Sequence, residues 1–247
     1  RGYGYSSMVE STAGYTVAFN FTLFACFPPM LNTHLDHLVV AATTLGEGVD
    51  FVRTRLGVEV PTGGRHDMMG THNCVMSLGG NTYLEIIAVD PEMRPPERPR
   101  WFGLDDPSVI RSLSHSPRLL TWAVNTADLA TLVRLSPLPA GQIRSAERDD
   151  LRWQVALPED GRLGAGGFFP LCIQWQMDFH PSTRMADLGC RLLDLTLYHA
   201  YPGWLGNILE KIGAANAVRI MEVDHPSEAR VCARIHSPLG EVTLSSH

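Results

Sequence analysis

The chain has 247 residues, of which 45% are hydrophobic and 19% are charged, and its formal net charge is −6 at pH 7. This composition is typical of a globular protein with a sizeable core, and it excludes fibrous and wholly disordered classes. Because nucleic-acid binding requires a clustered positive surface, the acidic balance argues against a nucleic-acid partner.

The first 29 residues differ from the rest of the chain. They are rich in Gly, Ser and Tyr and then run into an unpatterned aromatic stretch. The longest apolar run, residues 15–27, is shorter than the ~18–20 residues that cross a bilayer, and basic residues do not directly precede it as they would in a secretory leader. Five widely spaced cysteines form no CxxC pair, which favours reduced thiols. We therefore expect a soluble cytoplasmic protein with no membrane partner, in which residues 1–29 are an extension outside a domain that spans residues 30–247.

Residues 34–89 predict a strand, a helix and three further strands. HLDHLVVAA, from His34, reads as a short apolar strand, and apolar residues at helical spacing up to Gly57 predict the helix. The remaining predicted elements are a strand at 58–60, a glycine-rich loop at 61–73, a strand at 74–78, a hairpin turn at 79–81 and a strand at 82–89. The order is βαβββ.

The same order appears twice more along the chain. The second set has strands at 119–125, 142–146, 151–157 and 168–175 with a helix that begins after Thr126, and the third has strands at 192–199, 218–223, 230–235 and 242–244 with a helix at 204–212. A proline-rich loop, 91–108, joins the first two sets. We therefore predict an α+β fold of three βαβββ modules, residues 33–90, 118–177 and 190–246, two of which close a cupped mixed sheet around one cavity. An odd number of modules leaves a sheet edge unmatched, which predicts a homodimer.

Two polar residues stand in apolar strands of the first module. His37 shares strand parity with its apolar neighbours, and Glu85 lies inside YLEIIAV. An unpaired carboxylate in such a strand costs several kcal/mol, so Glu85 needs a partner. An imidazole with a carboxylate suits a divalent metal such as Zn, Fe, Mn or Ni. The structural alternative is that Glu85 pairs with an arginine and that His37 is a hydrogen-bonded core residue.

The glycine-rich loop adds His66 and His72. Loops at the mouth of a sheet often hold binding groups, so both are candidates, and surface turn chemistry is the alternative. Since His72 leads directly into a strand, we predict that it faces the cavity more directly than His66. Farther along, Trp175 and His180 lie in WQMDFHP and predict a wall for a planar or apolar ligand. The alternative there is a core tryptophan followed by a turn.

These segments resemble a known family. LDHLVVAATTLGEGVDFVRTRLG, GGRHDMMGTHNCVMSLG and TYLEIIAVDP, together with FFPLCIQWQMDFHP and RLLDLTLYHAYP, are similar to the glyoxalase-like domain of the vicinal-oxygen-chelate superfamily. The resemblance covers roughly residues 33–245. It implies paired βαβββ modules that form a cupped sheet around a divalent metal, which polarises vicinal oxygens of a substrate. Lactoylglutathione lyase, extradiol dioxygenases, epimerases and antibiotic-resistance proteins all belong to this superfamily, so the fold leaves the reaction open.

Carried over residue by residue, the resemblance places metal ligands at His37 and Glu85. The corresponding positions of the second module fall on Thr121 and Gln174, of which the first is a poor ligand and the second a neutral one. The resemblance therefore leaves two alternatives, a metal held by His37, Glu85 and either His72 or Gln174 with water, or no metal.

The expected function is that of a small-molecule enzyme, a metal-dependent lyase, isomerase or dioxygenase. In this interpretation Glu85 or His72 moves a proton, while the following residues contact the substrate: His66, Thr121, Gln174, Trp175 and His180. The alternative function is a non-catalytic protein that sequesters a small hydrophobic or aromatic compound in the same cavity.

Overall fold

The computed structural model describes residues 31–247, and the predicted extension at residues 1–29 lies outside them. The strands are β1 (Thr33–Ala41), β2 (Thr62–His66), β3 (Thr71–Ser77), β4 (Tyr83–Val89), β5 (Arg118–Thr126), β6 (Gln142–Arg148), β7 (Leu151–Leu157), β8 (Leu171–Trp175), β9 (Arg191–His199), β10 (Arg219–Glu222), β11 (Arg230–Ser237) and β12 (Gly240–Ser245). The helices are α1 (Leu45–Leu56), α2 (Pro107–His115), α3 (Leu129–Leu135) and α4 (Pro202–Lys211).

Strands β1 to β8 form one curved mixed sheet in the order β2-β3-β4-β1-β5-β8-β7-β6. In its first half β1 pairs in parallel with β4, and in its second half β5 pairs in parallel with β8. The antiparallel pair of β1 and β5 joins the two halves at the centre. Each half is therefore one βαβββ unit, and the predicted α+β fold with a cupped mixed sheet is confirmed.

The last four strands form a separate sheet in the order β10-β9-β11-β12. Here β9 pairs in parallel with β10, the strand that directly follows the helix, rather than with the last strand of the set. The element order of the first two sets is thus repeated with a different strand pairing. Leu195, Leu197 and Val231 of this sheet belong to the same apolar core as Leu38 and Trp122 of the large sheet.

Local signals explain where the helices begin and end. The Thr44 side chain accepts a hydrogen bond from the Glu47 backbone N–H, and the Glu47 side chain accepts one from the Thr44 N–H, so α1 begins with a capping box. Gly57 ends the helix in the left-handed conformation, with φ of 73°. Helix α2 differs from the sequence expectation, because the proline-rich composition of residues 91–108 predicts a loop that includes Pro107. Proline is in fact favoured in the first turn of a helix, and the Asp106 side chain caps it.

The predicted loop at 61–73 and the strand at 58–60 are wrong. Residues 62–66 and 71–77 are paired strands joined by a tight turn. Gly63 and Gly64 hide the strand signal, because glycine is depleted in strands. These glycines let the side chains of Arg148 and Asn73 lie close to the β2 backbone. A Cβ at Gly64 would lie 2.6 Å from the Arg148 side chain, and a Cβ at Gly63 would clash with Asn73.

Within residues 31–247, no helix has the length and apolar character needed to span a membrane. Four cysteines lie in this range, and all four are free thiols: Cys74, Cys172, Cys190 and Cys232.

Candidate functional site

The concave face of the large sheet holds a pocket, called here the central pocket, that is partly open to solvent. Both halves of the sheet and the segment between them contribute to it. Its principal lining residues are His37, His66, Asn73, Tyr83, Glu85, Trp101, Phe102, Arg148, Leu151, Trp153, Val155, Leu171, Ile173 and Trp175.

Two consecutive residues of β1, Asp36 and His37, contact each other at the floor of this pocket. The pairing of β1 with β5 shifts register between Leu35 and His37, so a β-bulge interrupts the alternation of side chains. His37 Nδ1 lies 2.6 Å from Asp36 Oδ1. Because an ionised carboxylate only accepts hydrogen bonds, Nδ1 carries a proton, and Nε2 lies on the pocket side, 3.7 Å from Glu85 Oε2.

Asp36 also accepts two hydrogen bonds from the second half of the molecule. Trp175 Nε1 donates over 2.7 Å and His180 Nε2 over 2.9 Å. Complete burial alone would raise the pKa of Asp36, but the hydrogen bonds from His180 and His37 outweigh it and hold the pKa at about 2. The buried carboxylate is therefore ionised, and it fixes the orientation of His37.

Glu85, on β4, lies between two imidazoles. Its Oε2 is 3.7 Å from His37 Nε2, and its Oε1 is 3.9 Å from His66 Nε2. Asn73 Nδ2 donates a hydrogen bond of 2.7 Å to Oε1. With 6% of its surface exposed, Glu85 is a buried carboxylate that has one direct hydrogen-bond donor and two imidazole nitrogens at slightly longer range.

His66 is the histidine of the β2–β3 hairpin that faces the pocket. Its Nδ1 lies 3.0 Å from Thr71 Oγ1, and its Nε2 lies 3.4 Å from Asn73 Nδ2. Since the Asn73 amide donates, Nε2 accepts and Nδ1 carries the proton. Burial lowers the pKa of His66 to about 4, so this imidazole is neutral at pH 7.

Arg148, at the end of β6, brings a positive charge to the pocket from the opposite half of the sheet. Its Nη1 donates to Asn73 Oδ1 over 3.3 Å, and the same oxygen accepts from the Gly64 N–H over 2.8 Å. These two contacts set the orientation of the Asn73 amide and thereby direct its Nδ2 towards Glu85.

Aromatic rings form much of the remaining wall. Tyr83 stacks on His37 with ring centroids 4.5 Å apart, and Trp153 lies 5.6 Å from Trp175. Trp101 meets His66 edge to face, with centroids 4.9 Å apart. A ligand in the pocket would therefore contact polar groups on one side and aromatic surfaces on the other.

Three of the candidate residues named in the sequence analysis lie elsewhere. His72 is paired with Arg65 across the hairpin, on the face of β3 opposite to Asn73, and its Nδ1 lies 3.6 Å from Asp90 Oδ2. Gln174 faces α3, where its Oε1 accepts from the Leu129 N–H over 2.9 Å. Thr121 is buried and donates to the Gly167 carbonyl over 3.1 Å, beside a neighbouring cavity.

The structure thus brings His37, Glu85, His66 and Trp175 together, with His180 buried behind them on Asp36. Sequence reasoning missed Asp36, Asn73 and Arg148. Asp36 is adjacent to His37 in the sequence, but a single β-bulge leaves no pattern that would place the two side chains together. Asn73 is the last residue of the segment 61–73, which the sequence analysis predicted as a glycine-rich loop that holds binding groups.

The donor types around Glu85 fit a divalent metal: two imidazole Nε2 lone pairs and one carboxylate, with Asp36 and Thr71 on the opposite ring nitrogens as outer partners. Two donors at about 2.1 Å from a tetrahedral ion are about 3.4 Å apart. The separations of 3.7 and 3.9 Å are somewhat wider. Accordingly, among the side chains of residues 31–247, no group of three or more His, Cys, Asp or Glu is placed to hold a metal ion.

Comparison with solved structures finds proteins of low sequence identity. A hypothetical protein from Staphylococcus aureus is 14% identical, with a TM-score of 0.50, and the alignment covers 86% of this chain and 84% of that one. Methylmalonyl-CoA epimerase from Mycobacterium tuberculosis is 19% identical over 57% of this chain and 86% of its own, with a TM-score of 0.35. A Streptomyces coelicolor methylmalonyl-CoA epimerase in complex with 2-nitronate-propionyl-CoA is 20% identical over 61% and 97%, with a TM-score of 0.36.

Among curated proteins, no sequence matches this chain significantly. A family model does match. Described as a glyoxalase-like domain, it covers residues 35–212, which include both halves of the large sheet and every residue of the central pocket named above. The chain belongs to the family of glyoxalase-like domains.

Proposed function

We propose that the central pocket is the active site of an enzyme that moves a proton on a small molecule bearing neighbouring oxygen atoms. The observation that carries this proposal is the position of Glu85, a buried carboxylate between the Nε2 atoms of His37 and His66. General acid–base catalysis uses such a group within hydrogen-bond reach of the reacting atom. Isomerases and lyases that act beside a carbonyl group use this chemistry.

Each polar residue of the pocket has a distinct part in the proposed reaction. Glu85 takes a proton from the carbon next to the ligand carbonyl and returns a proton to that carbon, while the His37 ring, held by Asp36, lies beside the ligand oxygens. Arg148 and Asn73 attract the negative charge that develops on the oxygen. When bound, a divalent cation would be held by His37, His66 and Glu85 and would polarise the ligand oxygens.

Proton exchange in D2O tests this proposal directly. We expect the protein to catalyse loss of the proton signal on the carbon next to a carbonyl group, C3 of 2-oxo acids or C2 of 2-hydroxy acids, and 1H NMR of a panel of such compounds measures this loss. Glu85→Gln removes the base without changing its size, and we expect it to reduce the exchange rate by about 100-fold or more.

Glu59→Gln is the matched control, because Glu59 is exposed in the connection between α1 and β2. It is expected to exchange at the wild-type rate. Equal rates for wild type and Glu85→Gln would contradict the proposal.

The aromatic wall favours a second candidate function, the sequestration of a small planar or apolar compound. Trp153 and Trp175 present large apolar surfaces to the pocket, and aromatic side chains contribute much of the binding energy of such sites. Saturable binding of a ligand from the same panel, without exchange in the presence or absence of added Zn2+, Mn2+, Ni2+ or Fe2+, would favour this function over catalysis.

A further inference from the structure

A second cavity, called here the side cavity, adjoins the central pocket. It is also partly open to solvent. Three residues line both spaces: Trp101, Phe102 and Leu171. The two spaces therefore share part of their walls.

The lining of the side cavity is mostly apolar. It includes Ala140, Ala156, Leu157, Leu163, Phe169 and Pro170. The hydroxyl of Thr121 also lies on this wall, but it already donates to the Gly167 carbonyl. A polar ligand group would find few partners here, whereas an alkyl or aryl group would lose water-exposed surface at no polar cost.

Trp101, in the shared wall, has an unmet hydrogen bond. The side chain is 5% exposed, and its buried Nε1 has no hydrogen-bond partner within residues 31–247. A buried donor left without a partner costs about 1–3 kcal/mol, so such groups are rare in folded proteins. An acceptor oxygen on a ligand that lies between the two spaces would satisfy it.

The segment that carries Trp101 is strained and tied to the opposite wall. Phe102 has a φ of 58°, in the left-handed region that non-glycine residues rarely occupy. The Gly103 N–H donates to the Gly161 carbonyl over 2.8 Å, and Arg98 donates to the Pro158 carbonyl over 2.6 Å. Backbone strain that is maintained by such contacts is concentrated at ligand-binding sites.

We propose that the side cavity is a subsite for the apolar part of the ligand whose oxygen atoms lie near Glu85 and Arg148. The ligand class is then an amphipathic acid or ketone, with its oxygens in the central pocket, an acceptor on Trp101 Nε1 and an alkyl or aryl tail in the side cavity. This inference deepens the proposed function and rests on it for the position of the head group.

A homologous series of probes tests the subsite. We would measure the dissociation constants of 2-oxobutanoate, 2-oxohexanoate and 2-oxooctanoate by isothermal titration calorimetry. Burial of each methylene contributes about 0.8 kcal/mol, so we expect the affinity to rise about fourfold per added methylene until the cavity is filled. Equal affinities across the series, or no saturable binding of 2-oxooctanoate, would overturn the proposal.

Two variants locate the effect. Ala156→Leu narrows the side cavity from the sheet, and Leu163→Trp narrows it from the half-buried loop, where a larger side chain is better tolerated. Each is expected to abolish the gain from 2-oxobutanoate to 2-oxooctanoate while it preserves 2-oxobutanoate binding. Ala127→Leu, at an exposed position, is the matched control and should keep the wild-type gain. A full gain in both cavity variants would overturn the proposal.

The Glu85→Gln variant separates this inference from the proposed function. Retained chain-length dependence together with lost proton exchange would support both. Retained dependence with wild-type exchange would support the subsite and contradict the role of Glu85. If wild-type protein catalyses proton exchange but binds 2-oxo acids of all chain lengths equally well, the subsite alone is contradicted.

Discussion

The two halves of the large sheet have the same strand order but line the central pocket with different chemistry. The first half, β1 to β4, contributes two imidazoles, a carboxylate, a carboxamide and a phenol: His37, His66, Glu85, Asn73 and Tyr83. The second half, β5 to β8, contributes Arg148 and a wall of apolar and aromatic side chains: Leu151, Trp153, Val155, Leu171, Ile173 and Trp175. A repeated backbone arrangement therefore does not repeat the chemistry of its side chains.

In the proposed reaction this difference is a division of work, because the first half supplies the groups that move the proton and the second half supplies Arg148 and the apolar wall that bind the ligand. The halves are nevertheless coupled through Asp36, which belongs to β1 and accepts hydrogen bonds from Trp175 and His180 of the second half. The orientation of His37 thus depends on both halves.

The largest effect on stability is expected where the halves are joined. Asp36→Asn replaces a buried, ionised acceptor by a neutral amide that cannot satisfy three donors, so we expect the free energy of unfolding at pH 7 to fall by about 3–5 kcal/mol. Urea denaturation measures this value. Asp50→Asn, at an exposed position on α1, is the control and should change it by less than about 0.5 kcal/mol. Similar effects of the two substitutions would show that the halves are not coupled through Asp36.

The free energy of unfolding should also depend on pH through His66 of the first half, by an amount close to that expected for Asp36→Asn. Burial lowers the pKa of His66 from 6.5 to about 4, so the unfolded chain binds a proton between these values while the folded protein does not. The contribution of His66 to stability is fully present above pH 6.5 and is lost as the pH falls towards 4, by about 3 kcal/mol in total.

The variant His66→Gln isolates this contribution. Its unfolding free energy, measured by urea denaturation from pH 7 to 4, should fall less steeply than that of the wild type. If the unfolding free energy of His66→Gln falls as steeply between pH 7 and 4 as that of the wild type, His66 is not a buried, neutral residue in the folded protein.

A smaller decrease in the free energy of unfolding is expected when one hydrogen bond from the second half to Asp36 is removed. Trp175→Phe removes the indole N–H but keeps an aromatic ring, so the free energy of unfolding should fall by about 1.5–3 kcal/mol, as for a hydrogen bond to a charged group. The same substitution at Trp204, which is 45% exposed on α4, is the matched control. A Trp175→Phe protein as stable as the control would mean that this bond does not hold the halves together.

The smallest expected effect separates binding from chemistry. Trp153→Leu reduces the aromatic wall of the second half and leaves the first half intact, so KM for an exchanged 2-oxo acid should rise about tenfold while kcat stays within about twofold. A fall in kcat with unchanged KM would contradict the division of work.

The sequence predicted the α+β fold because three of the four helices and most strands have strong local signals. Alternation in β1 and β4 also placed His37 and Glu85 on one face of central strands, and the structure brings them within 3.7 Å of each other. The roles of both residues stay predictions.

The sequence did not reveal which histidine of the glycine-rich stretch enters the pocket. That choice depends on the register of β2 and β3, in which His66 pairs with Thr71 and His72 with Arg65. Glycines without side chains leave no alternation from which to read this register. Arg148 was missed for a different reason, because its contact with Asn73 joins residues that are 75 positions apart.

The central claim is that both His37 and His66 direct an Nε2 lone pair towards Glu85. Two-dimensional 1H–15N NMR of protein with 15N-labelled histidines at pH 8 tests this most directly, because it identifies the protonated ring nitrogen of each neutral imidazole. We expect the proton on Nδ1 in both residues, assigned with the variants His37→Ala and His66→Gln. A proton on Nε2 of His37 would contradict the account, since that nitrogen would then donate to Glu85 and have no lone pair for a ligand or a metal.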